Sequence, residues 1–284
     1  MRSLSHLSAI SITGHDALAF CQSQVTSDLT GLGPEKWHAS AWCNAKGQVM
    51  AVILIRVGES GVEWVMPTTQ IASIANALSR YTIGRQVSIS EPQRVSGDWA
   101  PLKSDNAHAR LAHDLSRVLC VNEIAHDKPD DQAFLTDWRE ADLKTGLAWL
   151  CPELSMRFLP QALGLESLSG LSYRKGCYPG QEVIAKVHYR GQLKHHLVLL
   201  ALTHEATLLP DTPLYQPSDA SAPGAPRPCG VVIDQVANHA LAVVRSRLGP
   251  GDRLSIDAPE PSGGRTLIGH VVDLASAPHR TPVS

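Results

Sequence analysis

Residues 174–191 read Arg-Lys-Gly-Cys-Tyr-Pro-Gly-Gln-Glu-Val-Ile-Ala-Lys-Val-His-Tyr-Arg-Gly. Two glycines and a proline surround one cysteine, Cys177, so the backbone turns tightly there, and the following run predicts a helix from near Gly180 to near Gly191. The thiol then sits beside a helix N-terminus. Free N–H groups, the positive end of the dipole and the cations Arg174 and Lys175 each favour thiolate over thiol, which points to a reactive or ligating sulfur. The competing reading is a small buried hydrophobe in a tight turn, the commoner state of a free cysteine, and spacing alone does not choose between them. Gln181 and Glu182 fall in the first helical turn. There a carboxylate either caps free N–H groups or receives donors from a heteroaromatic ligand. Lys186, Arg190 and Lys194 recur every four residues, as either a solvated face or a basic stripe for a polyanionic tail or RNA phosphate.

Outward from this segment the chain alternates strands and helices. Residues 4–13 read as a strand, 15–24 as a short helix after the Gly14 break, and 39–44 and 48–57 as strands of a hairpin turned at Asn44-Ala45-Lys46-Gly47. A strand at 62–66 precedes a helix opened by Pro67 and Thr68, with Ile71, Ile74, Leu78 and Tyr81 at helical spacing, and a strand at 86–90. Residues 91–116 carry only a weak pattern, and 117–121 reads as a strand. A helix follows at 130–144, with Phe134, Trp138 and Ala141 or Asp142 along one side and Gly146 after it. Beyond the signature segment, 193–202, 229–236, 241–246 and 267–274 are β-rich. Six prolines between Pro210 and Pro228 exclude a helix there and predict a long exposed loop. The expectation is an α+β protein of antiparallel sheets with helices, in three parts: 1–92, 93–191, and 192–284 as a small C-terminal β-barrel or sandwich.

Composition removes several function classes. The 284 residues, 43% hydrophobic and 18% charged, place the chain among folded globular proteins of roughly two domains. A formal charge of -2 and 5% aromatics leave no basic excess for wrapping nucleic acid, so no direct nucleic-acid partner is expected. No apolar run approaches the ~20 residues of a membrane span. Residues 1–12 lack a continuous signal-peptide core, and the expectation is a cytoplasmic protein. The six cysteines lie far apart with no C-x-x-C and no zinc spacing, which predicts free thiols and no stable metal site.

The run Lys175-Gly176-Cys177-Tyr178-Pro179-Gly180-Gln181-Glu182 resembles the K-G-C-aromatic-x-G-Q-E signature of the YgfZ-type folate-binding proteins, relatives of the glycine-cleavage aminomethyltransferase, GcvT. Three more segments resemble the same family in the right order: residues 20–28 (FCQSQVTSD), 42–47 (WCNAKG) and 158–161 (FLPQ), and Tyr189-Arg190-Gly191 closes the signature helix. Ser23 departs from the family's usual Gly. The resemblance covers residues 5–195 well and the remainder only in general pattern. It implies a ring-like, multi-lobed GcvT-type fold around tetrahydrofolate, and a role in assembling or repairing iron–sulfur clusters in client enzymes, including tRNA-modifying ones. It makes Cys177 the functional thiol and a transient cluster ligand, with Gln181, Glu182, Lys175, Tyr178, Arg190, Gln24 and Trp42 about the folate. Iron–sulfur assembly proteins or cluster-containing clients are the implied partners, with no ordinary turnover. The alternative is a folate-dependent one-carbon (aminomethyl) transferase. A thiol hydrolase is a weaker reading, because no histidine is fixed beside Cys177 by sequence.

Overall fold

The computed structural model describes residues 1–100, 109–122, 131–204, 206–216, 227–245, 248–255 and 268–272. Fourteen strands among these residues build two sheets. The first contains β1 (Arg2–Thr13), β2 (Lys36–Cys43), β3 (Val49–Gly58), β4 (Gly61–Pro67), β5 (Ser88–Ile89), β6 (Gln93–Trp99), β7 (Arg110–Leu111) and β8 (Asp114–Val121). Their order is β4-β3-β2-β7-β8-β6-β1-β5, and a further antiparallel pairing of β1 with β4, from Leu7↔Pro67 to Thr13↔Gly61, closes seven of them into a barrel. Only β2 and β7 run parallel in this sheet. The long strands alternate or are buried on both faces, because helices and loops cover the barrel wall.

Two helices pack on one flank. They are α1 (Ala17–Gln22) and α2 (Thr68–Ser79), whose Phe20, Ile71, Ile74 and Leu78 meet Ile10, Ile12, Ile53 and Trp64 of the strands. Tyr81, expected on the buried stripe of α2, lies past the helix end and is exposed, its ring set edge-on to Trp42. On the other flank α3 (Gln132–Thr145) starts at Asp131, whose side chain accepts from Phe134 N, and stops at Gly146. Asp142 of α3 is buried against Arg117 of β8, with Nη1 to Oδ1 at 2.7 Å. Asp114 takes the guanidinium Nε at 2.7 Å, and Trp149 Nε1 donates to the second Asp142 oxygen at 2.9 Å. A buried cation is tolerated because two carboxylates offset its charge at Nε and Nη1, although Nη2 has no hydrogen-bond partner among the described residues, and this triad pins α3 to the sheet.

The second sheet contains β9 (His196–Leu202), β10 (Pro213–Leu214), β11 (Gly230–Val236), β12 (His239–Val244), β13 (Arg253–Ser255) and β14 (Ile268–Val272) in the order β10-β11-β12-β9-β14-β13. Tyr215 and Ser255 exchange two backbone hydrogen bonds of 2.8 Å, so its edges meet and the sheet closes as a barrel. Period-2 alternation divides its strands. Val198, Leu200 and Leu202 point into the barrel, while Leu199 with Ile233 and Leu241 joins the core shared with α3 and the first barrel. Arg139 on α3 reaches Asp234 at 2.8 Å, and Glu140 reaches His239 at 3.0 Å.

The α+β reading with a closed C-terminal sheet matches the structure. Residues 91–116, which carry little pattern, hold β6 and β7. The first sheet therefore crosses the division drawn at 92/93, whereas the change of sheet falls between residues 190 and 196. The middle of the proline-rich segment, residues 217–226, and the outer ends of the 241–246 and 267–274 strands lie outside the described residues. No helix among the described residues is long and apolar enough to cross a membrane.

Candidate functional site

The signature helix is α4 (Gln181–Arg190), bounded by Gly180 and Gly191 as its sequence predicts. Gly180 enters it with φ +79°, in the left-handed region where a side chain is strained. A Cβ at position 180 would also lie 2.4 Å from the Cα of Gly47, itself at φ +75°. Two chain turns thus touch backbone to backbone, and both need glycine. The Gly47 turn is built by Asn44, whose Oδ1 accepts from Lys46 N at 2.9 Å and Gln48 N at 3.0 Å.

The other two family-like segments meet the same place. Phe158 O accepts from Val49 N at 2.8 Å, and Gln161 Nε2 donates to Ile184 O of α4 at 2.8 Å. Residues 24–27 are tied into β2 through Thr26, whose N donates to Ala41 O and whose hydroxyl accepts from Ala41 N, each at 3.0 Å. Ser27 Oγ lies 2.7 Å from Ser40 Oγ. The signature turn closes over them, because Ser172 N donates to Thr26 O at 2.8 Å and the Lys175 ammonium donates to Val25 O at 2.9 Å and Ser27 O at 2.6 Å. Four segments separated by up to about 150 residues are therefore brought to one surface. Ser23, the departure from the family pattern, fits without strain. Its backbone is ordinary right-handed helix and its hydroxyl donates to Phe20 O at 2.8 Å.

The candidate residues divide by exposure. Trp42 is enclosed and donates Nε1 to Gln24 Oε1 at 3.4 Å, so its side chain holds Gln24 and presents no free surface of its own. Tyr178 is buried with its ring 5.4 Å from the Lys175 ammonium; its hydroxyl donates to Ser172 O at 3.3 Å, and burial pushes its ionisation upward. Burial lowers Lys175 to about 8, against opposing pulls from Asp28 and Cys21. Lys175 is turned toward the 25–27 carbonyls, so it clamps that loop and does not set its charge beside the Cys177 sulfur, contrary to what its place in the sequence suggests. Cys177, Glu182 and Arg190 are exposed. Gln181 is half-buried, donating Nε2 to Lys175 O at 3.2 Å. Glu182 has no hydrogen bond or ion pair among the described residues, and the N-cap of α4 receives no side-chain bond, so the capping role is not used.

Cys177 is the one exposed thiol of the six. Cys21, Cys43 and Cys120 are buried and Cys151 and Cys229 half-buried; burial pushes Cys21 up to about 12 and raises Cys43, Cys151 and Cys229. His188 of α4 is engaged elsewhere. It stacks on Tyr173 with ring centroids 3.8 Å apart and places Nδ1 3.2 Å from Glu166 Oε1. Seven residues of helix separate it from Gln181, roughly 10 Å of rise, which gives no support to a Cys–His pair. Among the described residues no group of three or more His, Cys, Asp and Glu is placed to hold a metal ion.

Sequence reading passed over Gln161 as a site residue. It is 6% exposed and its Oε1 is buried without a hydrogen-bond partner among the described residues. The signal was present, since Gln161 closes the third family-like segment. Beside Cys177, an added Cβ on Gly176 would meet nothing within 4 Å, so the turn borders open space.

No protein-family model matches the chain. Among solved structures the fold is similar to that of glycine cleavage system aminomethyltransferase T from Bartonella henselae, with a TM-score of 0.67 at 12% identity over 96% of this chain and 84% of that one. At that identity the likeness establishes a GcvT-like fold and no more.

Proposed function

We propose that the chain is a YgfZ-type tetrahydrofolate-binding accessory protein. In this reading it acts in the assembly or repair of iron–sulfur clusters in client enzymes, including tRNA-modifying ones, with Cys177 as its functional thiol. The observation that carries the reading is the convergence of residues 20–28, 42–47 and 158–161 on the turn and helix that carry the one exposed cysteine. The groups present suit a reduced pterin: Glu182 offers an unpartnered carboxylate to pterin N–H donors, Gln161 Oε1 is a buried acceptor lacking a donor, and Gly176 leaves room. Tetrahydrofolate supplies a reducing pteridine and a one-carbon carrier. The chain's own residues fix the site, Lys175 and Trp42 by holding the 24–27 backbone and Gln24. The ring-like disposition of lobes, a cytoplasmic location, and partners drawn from cluster-assembly proteins or clients belong to the same proposal.

A lone exposed thiol suits transient ligation of a cluster that is cargo, because the remaining ligands come from the partner or a small thiol. The test is complementation. In a strain lacking this protein, Cys177→Ser should bind tetrahydrofolate yet fail to restore cluster-enzyme activity; full restoration would sink the assignment of the thiol.

The fold likeness to an aminomethyltransferase favours one second reading, a folate-dependent one-carbon transferase. That enzyme would convert tetrahydrofolate to its methylene form with release of ammonia from an aminomethyl donor. The accessory reading predicts no such turnover.

A further inference from the structure

At the end of α4 remote from Cys177, the chain runs through residues 192–195 into β9. Gln192, Leu193, Lys194, His195, His196 and Arg245 line a cavity there of about 670 Å³. Four of these six side chains are cations or become cations on protonation, and none is acidic. The barrel sets their spacing. His196 pairs with Val244 in the β9–β12 ladder, so the antiparallel register places His195 opposite Arg245, whose backbone N is fixed to Cys229 O at 2.7 Å. No salt bridge joins Lys194, His195, His196 or Arg245 to any acid among the described residues. Burial, followed by Arg245, His196 and Lys194, holds the His195 imidazole below its ordinary 6.5, as expected of like charges gathered without a counter-charge.

We propose that this cavity is a binding site for a small, multiply charged oxyanion, carried as phosphate or as carboxylate groups. Such a ligand offsets the unpaired positive charge of Lys194 and Arg245 and meets imidazole donors in the same lining. Arg245 offers a planar fork and Lys194 a mobile ammonium, the usual pair for oxyanion recognition. The site lies a helix length from Cys177, roughly 15 Å along the axis of α4, and the proposal is independent of the folate reading.

Calorimetric titration of the full chain at low chloride with pyrophosphate, and separately with citrate, tests it. Saturable binding is expected, and it tightens at acid pH, where protonation of the depressed His195 imidazole adds a cation beside Lys194 and Arg245. Both substituted side chains are exposed, so the double variant Lys194→Gln/Arg245→Gln keeps the fold, verified by circular dichroism, and should weaken binding about tenfold or more. Pyrophosphate binding alone assigns a phosphate ligand, and citrate binding of equal or greater strength assigns a carboxylate one. Absence of saturable binding by either anion, or binding that the double variant retains undiminished, overturns the site.

Discussion

Replacing Lys175 by Met keeps the apolar stem and deletes the ammonium that holds the 25–27 loop. Two charge-assisted hydrogen bonds, to Val25 O and Ser27 O, are lost, each worth ~1.5–3 kcal/mol net. Against that, the lowering of this lysine from 10.5 to about 8 means that keeping it charged opposes folding by on the order of 3 kcal/mol at neutral pH. The two effects largely offset, and Lys175→Met should cost only about 0–3 kcal/mol at pH 7. The pH dependence is the sharper readout. Because the folded value is depressed, the contribution of Lys175 is fully present above 10.5 and is lost as pH falls through about 8. Wild type should therefore gain on the variant by ~1.4 kcal/mol per pH unit between about pH 8 and pH 10. Tyr178, Tyr173, Cys21 and Cys43, all raised, titrate in both proteins and drop out of the difference. Urea unfolding of the two proteins at pH 7, 8, 9 and 10 measures the gap. A gap that stays constant across that range would refute a buried, partly neutralised Lys175.

Three further outcomes follow from the same geometry. Gly180→Ala should destabilise by about 2–4 kcal/mol, from left-handed strain and the clash with Gly47, whereas Gly176→Ala, facing open space, should change little; thermal melts compare them. His113 has both ring nitrogens buried, and burial with the nearby Arg117 cation holds it down to about 4, so its stabilising contribution is complete above about pH 6.5 and disappears as pH falls through about 4. His113→Asn should flatten the acid limb of the stability curve, and an unchanged limb would remove His113 from the account. Iodoacetamide should label Cys177 first, Cys151 and Cys229 later, and Cys21, Cys43 and Cys120 last, as read by peptide mass spectrometry; a half-buried thiol reacting ahead of Cys177 would contradict its exposure.

Local signals in the sequence carried the signature helix, since Gly180 and Gly191 bound it, and the β2–β3 hairpin, since Asn44 and Gly47 write its turn. β6 was illegible because Ser96-Gly97-Asp98 looks like a turn. The strand tolerates Gly97 because Trp138 of α3 fills the space a side chain would take, 2.7 Å from an added Cβ. Asp142 was visible on one side of α3, but its partner Arg117 lies 25 residues earlier in the chain, and no spacing rule predicts that a guanidinium will be buried. Lys175 fails for a similar reason. Adjacency to Cys177 suggested a shared field, yet side-chain direction after a tight turn depends on the loop at 25–27, which contact in the folded chain alone brings near. The family-like segments were legible one by one, and their meeting at one surface is a property of the barrel.

The central claim is that these segments form a folate site, and titration of the pure protein with tetrahydrofolate measures it most directly, with tryptophan fluorescence and calorimetry as readouts. Saturable binding is predicted, retained by Cys177→Ser and weakened about tenfold or more by Glu182→Gln with little loss of folding stability, because that carboxylate caps nothing in the fold. No binding of tetrahydrofolate, or binding that Glu182→Gln leaves unchanged while unfolding stability drops, would contradict the account.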